Sequence, residues 1–297
     1  MAQARDRIVL LGYAGLLGTD CRDALAPLGD LVLLEQWDLD ITQGAKVRSV
    51  LSQIRPQAVV NCAAYTDVDG CEINRELAHL VNAQGPGNLA RVTRDLGAYL
   101  VHFSTDYVFD GQREIPEGYG EEDPPNPQSA YGVSKWEGEQ LVRENNPNHL
   151  IVRTAWLYGR HGKSFPKAIL AQALAGRSLR VVADQYGSPT WSRTLAHQIR
   201  VLMERRVRGT VHAASHGHCN WFQFAKRILE LCGMRVDVSP CSSSEFPRPA
   251  RRPSNSILKK ARLQKLGMDR MRPWEEDLAE FLEMFGEELC SELREAG

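Results

Sequence analysis

The sequence predicts an α/β fold: a doubly wound parallel sheet followed by a smaller C-terminal domain. Short apolar runs alternate with segments of helical periodicity from the N-terminus to about residue 159. Connections of that length join parallel strands through covering helices and do not suit hairpins. Beyond Gly159 the alternation loosens, which sets the expected boundary.

Each element follows from its local pattern. RIVLLGYAG reads as a strand running into a glycine turn. TDCRDALAPLG has helical periodicity and stops at Gly29. LVLLE is a second strand, and AKVRSVLSQIRP a helix ended by Pro56. AVVNCAA is a third strand, NAQGPGNLARVTRDLG a helix, and AYLVHFST a further strand. REIPEGYGEEDPPNPQSA is a long exposed loop, read either as a lid or as a surface insertion. YGVSKWEGEQLVREN is a helix and HLIVRTAWLYG a strand. Later come the helix FPKAILAQALAG, the short strand LRVV, the turn DQYGSPTW and the helix WFQFAKRILELCG. An acidic helical segment from Trp274 closes the chain. The expected division is 1–159, a dinucleotide-binding domain to which 189–208 returns, and 160–297, mainly a substrate domain.

Bulk properties narrow the function classes. The chain has 297 residues, 43% of them hydrophobic and 25% charged, as in ordinary globular proteins. A formal net charge of -1 gives no general attraction to nucleic acid or anionic membrane. No run approaches the ~18 apolar residues of a membrane span. MAQARDR leads straight into IVLLGYAG without the pattern of a signal peptide, so the expected location is the cytoplasm. The seven cysteines are scattered and form no CxxC pair. His212, His216, His218 and Cys219 lack a supporting carboxylate spacing, and no metal is assigned to them.

Gly12, Gly15 and Gly18 give one glycine for a tight turn, one for close approach of a pyrophosphate and one for helix packing. The helix that follows offers free N–H groups to phosphates. The turn therefore points to a Rossmann-type nucleotide site. Glu35, at the end of the second strand, is placed to accept from ribose hydroxyls, and its charge opposes a 2′-phosphate. Asp40 is placed near the adenine edge. Ala63 and Ala64 would let a cofactor lie against backbone, with Tyr65 beside it.

Tyr131 and Lys135 lie four apart, on one helical face. An ammonium there favours a phenolate, and the pair suits proton transfer to a carbonyl that receives hydride. STDYVFDG ends a strand, where ligands bind in doubly wound sheets. Thr105 is the preferred hydroxyl for a substrate carbonyl, Ser104 the alternative, and Asp106 orders the turn. Tyr107 has no lysine at helical spacing. Trp156 is read as stacking on a nucleobase or packing in the core. Arg248, Arg251 and Arg252 beside Asn255 suit a diphosphate or form a basic surface loop.

Together these segments resemble the extended short-chain dehydrogenase/reductase family, in its branch that reduces dTDP-linked 4-keto-6-deoxysugars. The likeness runs from Gly12 to about Trp274, and STDYVFDG and PARRPSNS are more specific than the glycine turn. The resemblance implies reduction of dTDP-4-dehydro-beta-L-rhamnose at C4 with NADPH or NADH. It implies catalytic roles for Thr105, Tyr131 and Lys135. It implies cofactor contacts at Gly12, Gly15, Leu16, Leu17, Glu35, Asp40, Ile41, Ala63, Ala64, Tyr65, Tyr131 and Lys135. It implies substrate contacts at Thr105, Trp156, Arg252 and Asn255. Some members are homodimers bridged by magnesium through acidic C-terminal residues, which makes the acidic tail the candidate element. Two departures stand out: Leu16 replaces a usual glutamine, and Cys62 replaces a frequent alanine. A non-catalytic branch exists, and the retained Tyr131 and Lys135 weigh against it.

Overall fold

The computed structural model describes residues 6–295. A six-stranded sheet forms the centre, built from β1 (Arg7–Leu11), β2 (Asp30–Leu34), β3 (Ala58–Asn61), β4 (Tyr99–Thr105), β5 (His149–Thr154) and β10 (Gly209–His212). Their order is β10-β5-β4-β3-β1-β2, and every neighbouring pair is parallel.

Both faces are covered, and side chains alternate between them as strand geometry requires. Ile8 and Leu10 point to the side holding α1 (Leu16–Leu25) and α8 (Ser192–Glu204), where Leu17 and Cys21 meet Leu195 and Ile199. Val9 and Leu11 point to the side holding α2 (Gly44–Ile54), α5 (Gly85–Asp95) and α6 (Ala130–Asn145). Helix α8 thus packs on α1 across a long sequence gap.

The second core joins α7 (Phe165–Leu174), α9 (Trp221–Leu231) and α11 (Trp274–Glu295) around Tyr158, Trp191, Phe224 and Phe281. Small strand pairs border it: β6 (Leu157–Tyr158) with β9 (Thr190–Trp191), β7 (Leu179–Val182) with β12 (Val238–Cys241), and β8 (Tyr186–Gly187) with β11 (Cys219–Asn220). A short helix α10 (Ala261–Lys265) precedes α11. Among the described residues no helix is long and apolar enough to cross a membrane.

The elements depart from the sequence reading in several places. Residues 75–95 form one helical run, in which α4 (Arg75–His79) and a π segment at Leu80–Gln84 precede α5; the expected Gly-Pro start lies inside it. A further short helix, α3 (Val68–Ile73), is capped by Asp67, whose carboxylate accepts from Gly70 N. The strand expected to run through RTAWLYG breaks where Trp156 adopts φ 48, and β10 was not foreseen. The long loop is exposed at 114–117 as expected, but it is anchored to the body by Tyr119, which is buried and stacks on Phe109 with ring centroids 4.5 Å apart.

Candidate active site

Strand β1 is hydrogen-bonded to β2 on one side and β3 on the other, so the chain changes direction across the sheet there. A crevice opens at such a switch point, beyond the strand ends. Gly12 follows β1 with φ 71, and a Cβ on it would lie 3.0 Å from the Ala63 nitrogen after β3. A Cβ on Gly18 would lie 2.0 Å from the Gly12 carbonyl oxygen. Glycine is therefore required at both places: at one for left-handed backbone beside β3, at the other for close packing of α1 on the turn.

Two cavities adjoin at this crevice. One of 350 Å³ is bordered by Glu35, Asp40, Ile41 and Tyr65, together with Gly12, Gly15, Ala63 and Ala64. Its neighbour, 660 Å³, runs from the glycine turn past Leu16 and Leu17 to Thr105, Tyr131, Lys135 and Trp156. A third, of 1210 Å³, is bordered by Tyr107, Trp221, Arg248, Arg251 and Arg252. Tyr107 and Trp221 border both this cavity and the 660 Å³ one. The glycines and this elongated crevice fit a dinucleotide.

Glu35 Oε1 accepts the Ala14 N–H at 2.7 Å, which holds the acid against the glycine turn. Asp40 is committed to its own loop, accepting from Thr42 N at 2.9 Å, Thr42 Oγ1 at 2.7 Å and Gln43 Nε2 at 3.1 Å. Buried Asn82 ties the loop after β3 to α6: its amide brackets Tyr65 N and O at 2.8 and 2.9 Å and reaches Ser134 Oγ at 3.1 Å. No local pattern signals that strut, because it joins residues far apart in the chain.

Helix α6 begins at Ser129, whose hydroxyl accepts from Gly132 N. It carries Tyr131, Lys135 and Glu139 along one face. Lys135 Nζ donates to the Phe103 carbonyl at 2.7 Å, which fixes it to the end of β4. Burial pushes its pKa down to about 8, opposed by the nearby negative charge of Glu139. The Tyr131 phenol is pushed up, first by burial and then by Asp106, while the Thr105 hydroxyl pulls the other way. The expected phenolate is thus not what this arrangement favours; burial keeps the phenol in its acid form.

Thr105 Oγ1 donates to Asp106 Oδ1 at 2.9 Å and accepts from Tyr107 N at 3.2 Å. Burial raises Asp106 to about 6, with hydrogen bonds from Ser256 and Thr105 opposing. Tyr107 meets Tyr131 edge to face, with centroids 5.5 Å apart. Trp156 stacks on Trp221 with centroids 3.4 Å apart and planes at 4°, so a protein ring lies on it where a nucleobase was expected. Arg252 forms an ion pair with Asp69, Nη2 to Oδ2 at 2.8 Å. Asn255 borders none of the three cavities: it is buried, and its amide donates to the Arg113 and Glu117 carbonyls at 3.1 and 2.7 Å. Its spacing beside the arginines carried no information about that loop.

The acidic tail does not offer a magnesium site within one chain. Glu288 and Glu292 are paired to Arg160, and among the described residues no three potential ligands cluster to hold a metal.

A helix-borne tyrosine and lysine facing a strand-end threonine, at the switch point of a parallel sheet, define the class of short-chain dehydrogenases and reductases. Within it, a sequence model of the RmlD substrate binding domain matches residues 6–286, and the chain belongs to that family. It is 41% identical over 286 residues to a dTDP-4-dehydrorhamnose reductase of Mycobacterium tuberculosis, covering 94% of this chain and 93% of that one. It is 40% identical over 278 residues to a probable dTDP-4,6-dihydroxy-2-methyloxan-3-one 4-ketoreductase of Streptomyces antibioticus, covering 92% and 94%. A crystal structure of dTDP-4-dehydrorhamnose reductase from Bacillus anthracis, in complex with NADP, superposes with a TM-score of 0.91 at 41% identity, covering 94% of this chain and 99% of that one.

Proposed function

We propose that this chain is an oxidoreductase that uses NAD(P)H to reduce the C4 ketone of dTDP-4-dehydro-beta-L-rhamnose to dTDP-L-rhamnose. The observation that carries the reading is the convergence of Thr105, Tyr131 and Lys135 on the cavity that begins at the glycine turn. The relatives' names support the substrate, and the NADP complex of the Bacillus anthracis protein supports the cofactor class.

In this reading 1–159, with 189–208, hold the dinucleotide, and the remainder of 160–297 holds most of the nucleotide sugar. A dinucleotide held by its diphosphate at the glycine turn would bring its reduced nicotinamide toward Thr105 and Tyr131, where it would supply hydride to the sugar C4. The α1 N-terminus and the close backbone at Gly12 and Ala63 hold the diphosphate side. Glu35 accepts from the adenosine ribose. Tyr131 gives its proton to the oxygen that becomes the alkoxide, a role suited to a phenol kept protonated by burial. Lys135, fixed at Phe103, holds the nicotinamide ribose, and its ammonium offsets the negative charge left on the phenolate when Tyr131 gives up its proton. The Thr105 hydroxyl orients the carbonyl oxygen. Arg252 and the neighbouring arginines face the nucleotide diphosphate end of the sugar, with Trp221, stacked on Trp156, bordering both their cavity and the catalytic one.

The test is incubation with dTDP-4-dehydro-beta-L-rhamnose and either NADH or NADPH. Loss of absorbance at the reduced nicotinamide with formation of dTDP-L-rhamnose is expected. The Streptomyces antibioticus relative favours a second reading, reduction of another nucleotide-linked 4-keto-6-deoxysugar. The C4 configuration of the product separates the two. Dinucleotide binding with no turnover of any keto sugar would instead mark a regulatory subunit.

A further inference from the structure

The loop between β6 and α7 carries Arg160, His161 and Lys163 in four residues. Two contacts fix its path. Arg160 pairs with Glu288 and Glu292 of α11, the first at 2.7 Å. Lys167 Nζ donates to the Gly162 carbonyl at 3.0 Å. Gly162 is thereby set over the first residue of α1: a Cβ there would lie 3.6 Å from Leu16 Cβ and 3.9 Å from Leu16 N.

The next residue, Lys163, borders the 660 Å³ cavity together with Gly12, Gly15 and Leu16. It is exposed, and among the described residues it forms no ion pair or hydrogen bond. The facing turn of α1 has no charged side chain to offer. Leu16 and Leu17 are apolar, Gly18 has no side chain, and the Thr19 hydroxyl is turned back to Gly15 O at 3.0 Å. Only backbone N–H groups meet a phosphate from that side. Among the described residues bordering this cavity, Lys163 is an exposed cation without a partner, and it comes from the loop that lies over this turn.

We infer that Lys163 binds the diphosphate of the dinucleotide, closing over it opposite the first turn of α1. The assignment rests on the dinucleotide reading above. It is the diphosphate and not a 2′-phosphate because Lys163 borders the cavity leading to Tyr131, whereas Glu35 marks the ribose end in the adjoining one. A lysine serves here as a point charge, and its contact with phosphate is charge-assisted.

The experiment is titration of the parent chain, Lys163→Met and Lys163→Arg with NADH and with NADPH, followed by cofactor fluorescence at two salt concentrations. Lys163→Met is expected to weaken both cofactors by the same factor, about 10-fold, and to flatten the salt dependence, while Lys163→Arg retains most of the affinity. Unchanged affinity for both cofactors in Lys163→Met would overturn the contact. A loss confined to NADPH would overturn its assignment to the diphosphate, and a change only in the sugar's KM would move the contact to the substrate. Failure of the parent chain to bind either cofactor would overturn the dinucleotide reading itself, a result distinct from any difference between variants.

Discussion

Glu139 receives both arms of the Arg153 guanidinium, Nε to Oε1 and Nη2 to Oε2, each at 2.8 Å, with both side chains buried. The pair ties α6 to β5 one helical turn below Lys135. Arg143 adds a second contact to Glu139. His212 of β10 completes the group: its Nδ1–H donates to the Lys259 carbonyl at 3.0 Å, leaving Nε2 to accept from Arg153 at 3.3 Å. With burial and the Arg153 charge, that ring is pushed down to about 3 and stays neutral. The charge acting on Lys135 is then that of Glu139, since burial keeps the Cys71 thiol of α3 protonated up to about 11 and His102 of β4 is kept neutral by burial and by Lys135 itself.

From this, Glu139→Gln should lower the Lys135 pKa further. In the parent chain Lys135 is charged below about 8 and loses its proton as pH rises through that value. The alkaline limb of kcat/KM is expected near 8 in the parent and at lower pH in the variant. A buried Arg153 facing a neutral amide should also cost about 3 kcal/mol in denaturant unfolding. An unmoved alkaline limb would show that Glu139 acts on folding alone.

Tyr131→Phe removes the phenol and little else. Reduction should fall by about 10³-fold while cofactor affinity stays within a few-fold, measured by nicotinamide absorbance and by titration. Near-normal turnover would sink the assignment of Tyr131 as the proton donor. Thr105→Val keeps shape and loses the hydroxyl, with an expected loss of about 10²-fold in kcat.

Asp106 is stored strain of an electrostatic kind. Its pKa is raised from 3.8 to about 6 because ionisation in a buried site is costly. The folded chain therefore binds its proton more tightly than the unfolded chain does. That contribution is complete below 3.8 and is lost as pH rises through about 6. Asp106→Asn should be more stable than the parent at pH 7.5, by up to about 3 kcal/mol, with the advantage gone near pH 3.5. Denaturant midpoints at the two pH values check this.

Arg252 is held by Asp69, so its guanidinium is positioned before any substrate arrives. Arg252→Gln should raise the KM for the nucleotide sugar by at least about 10-fold and leave cofactor affinity unchanged. Asp69→Asn should give a smaller rise in the same KM, since the arginine remains but is no longer oriented. Equal KM values in all three chains would remove Arg252 from the substrate site.

The fold was legible where the pattern was local. The continuous apolar runs in RIVLLGYAG, AVVNCAA and AYLVHFST marked three neighbouring strands, because each buries both faces. The four-residue spacing of Tyr131 and Lys135 was legible for the same reason, since it is a property of one helix. The short strand Gly209–His212 was not: its four residues gain strand structure only by pairing with β5. The surroundings of Asn255 were not legible for a related reason, because the carbonyls that take its amide belong to a loop more than a hundred residues earlier.

The sequence by itself determined which chemical groups this protein holds and in what local geometry: a glycine turn before a helix, a hydroxyl at a strand end, a phenol and an ammonium one turn apart. Only the tertiary structure decided the state and company of those groups. Burial keeps Tyr131 protonated and lowers Lys135, Glu139 is fixed by Arg153, Trp156 is covered by Trp221, and Arg252 is oriented by Asp69. The physical reason is that residue type fixes a group's ordinary acidity and reach, whereas desolvation and partner charges come from segments that only folding brings near.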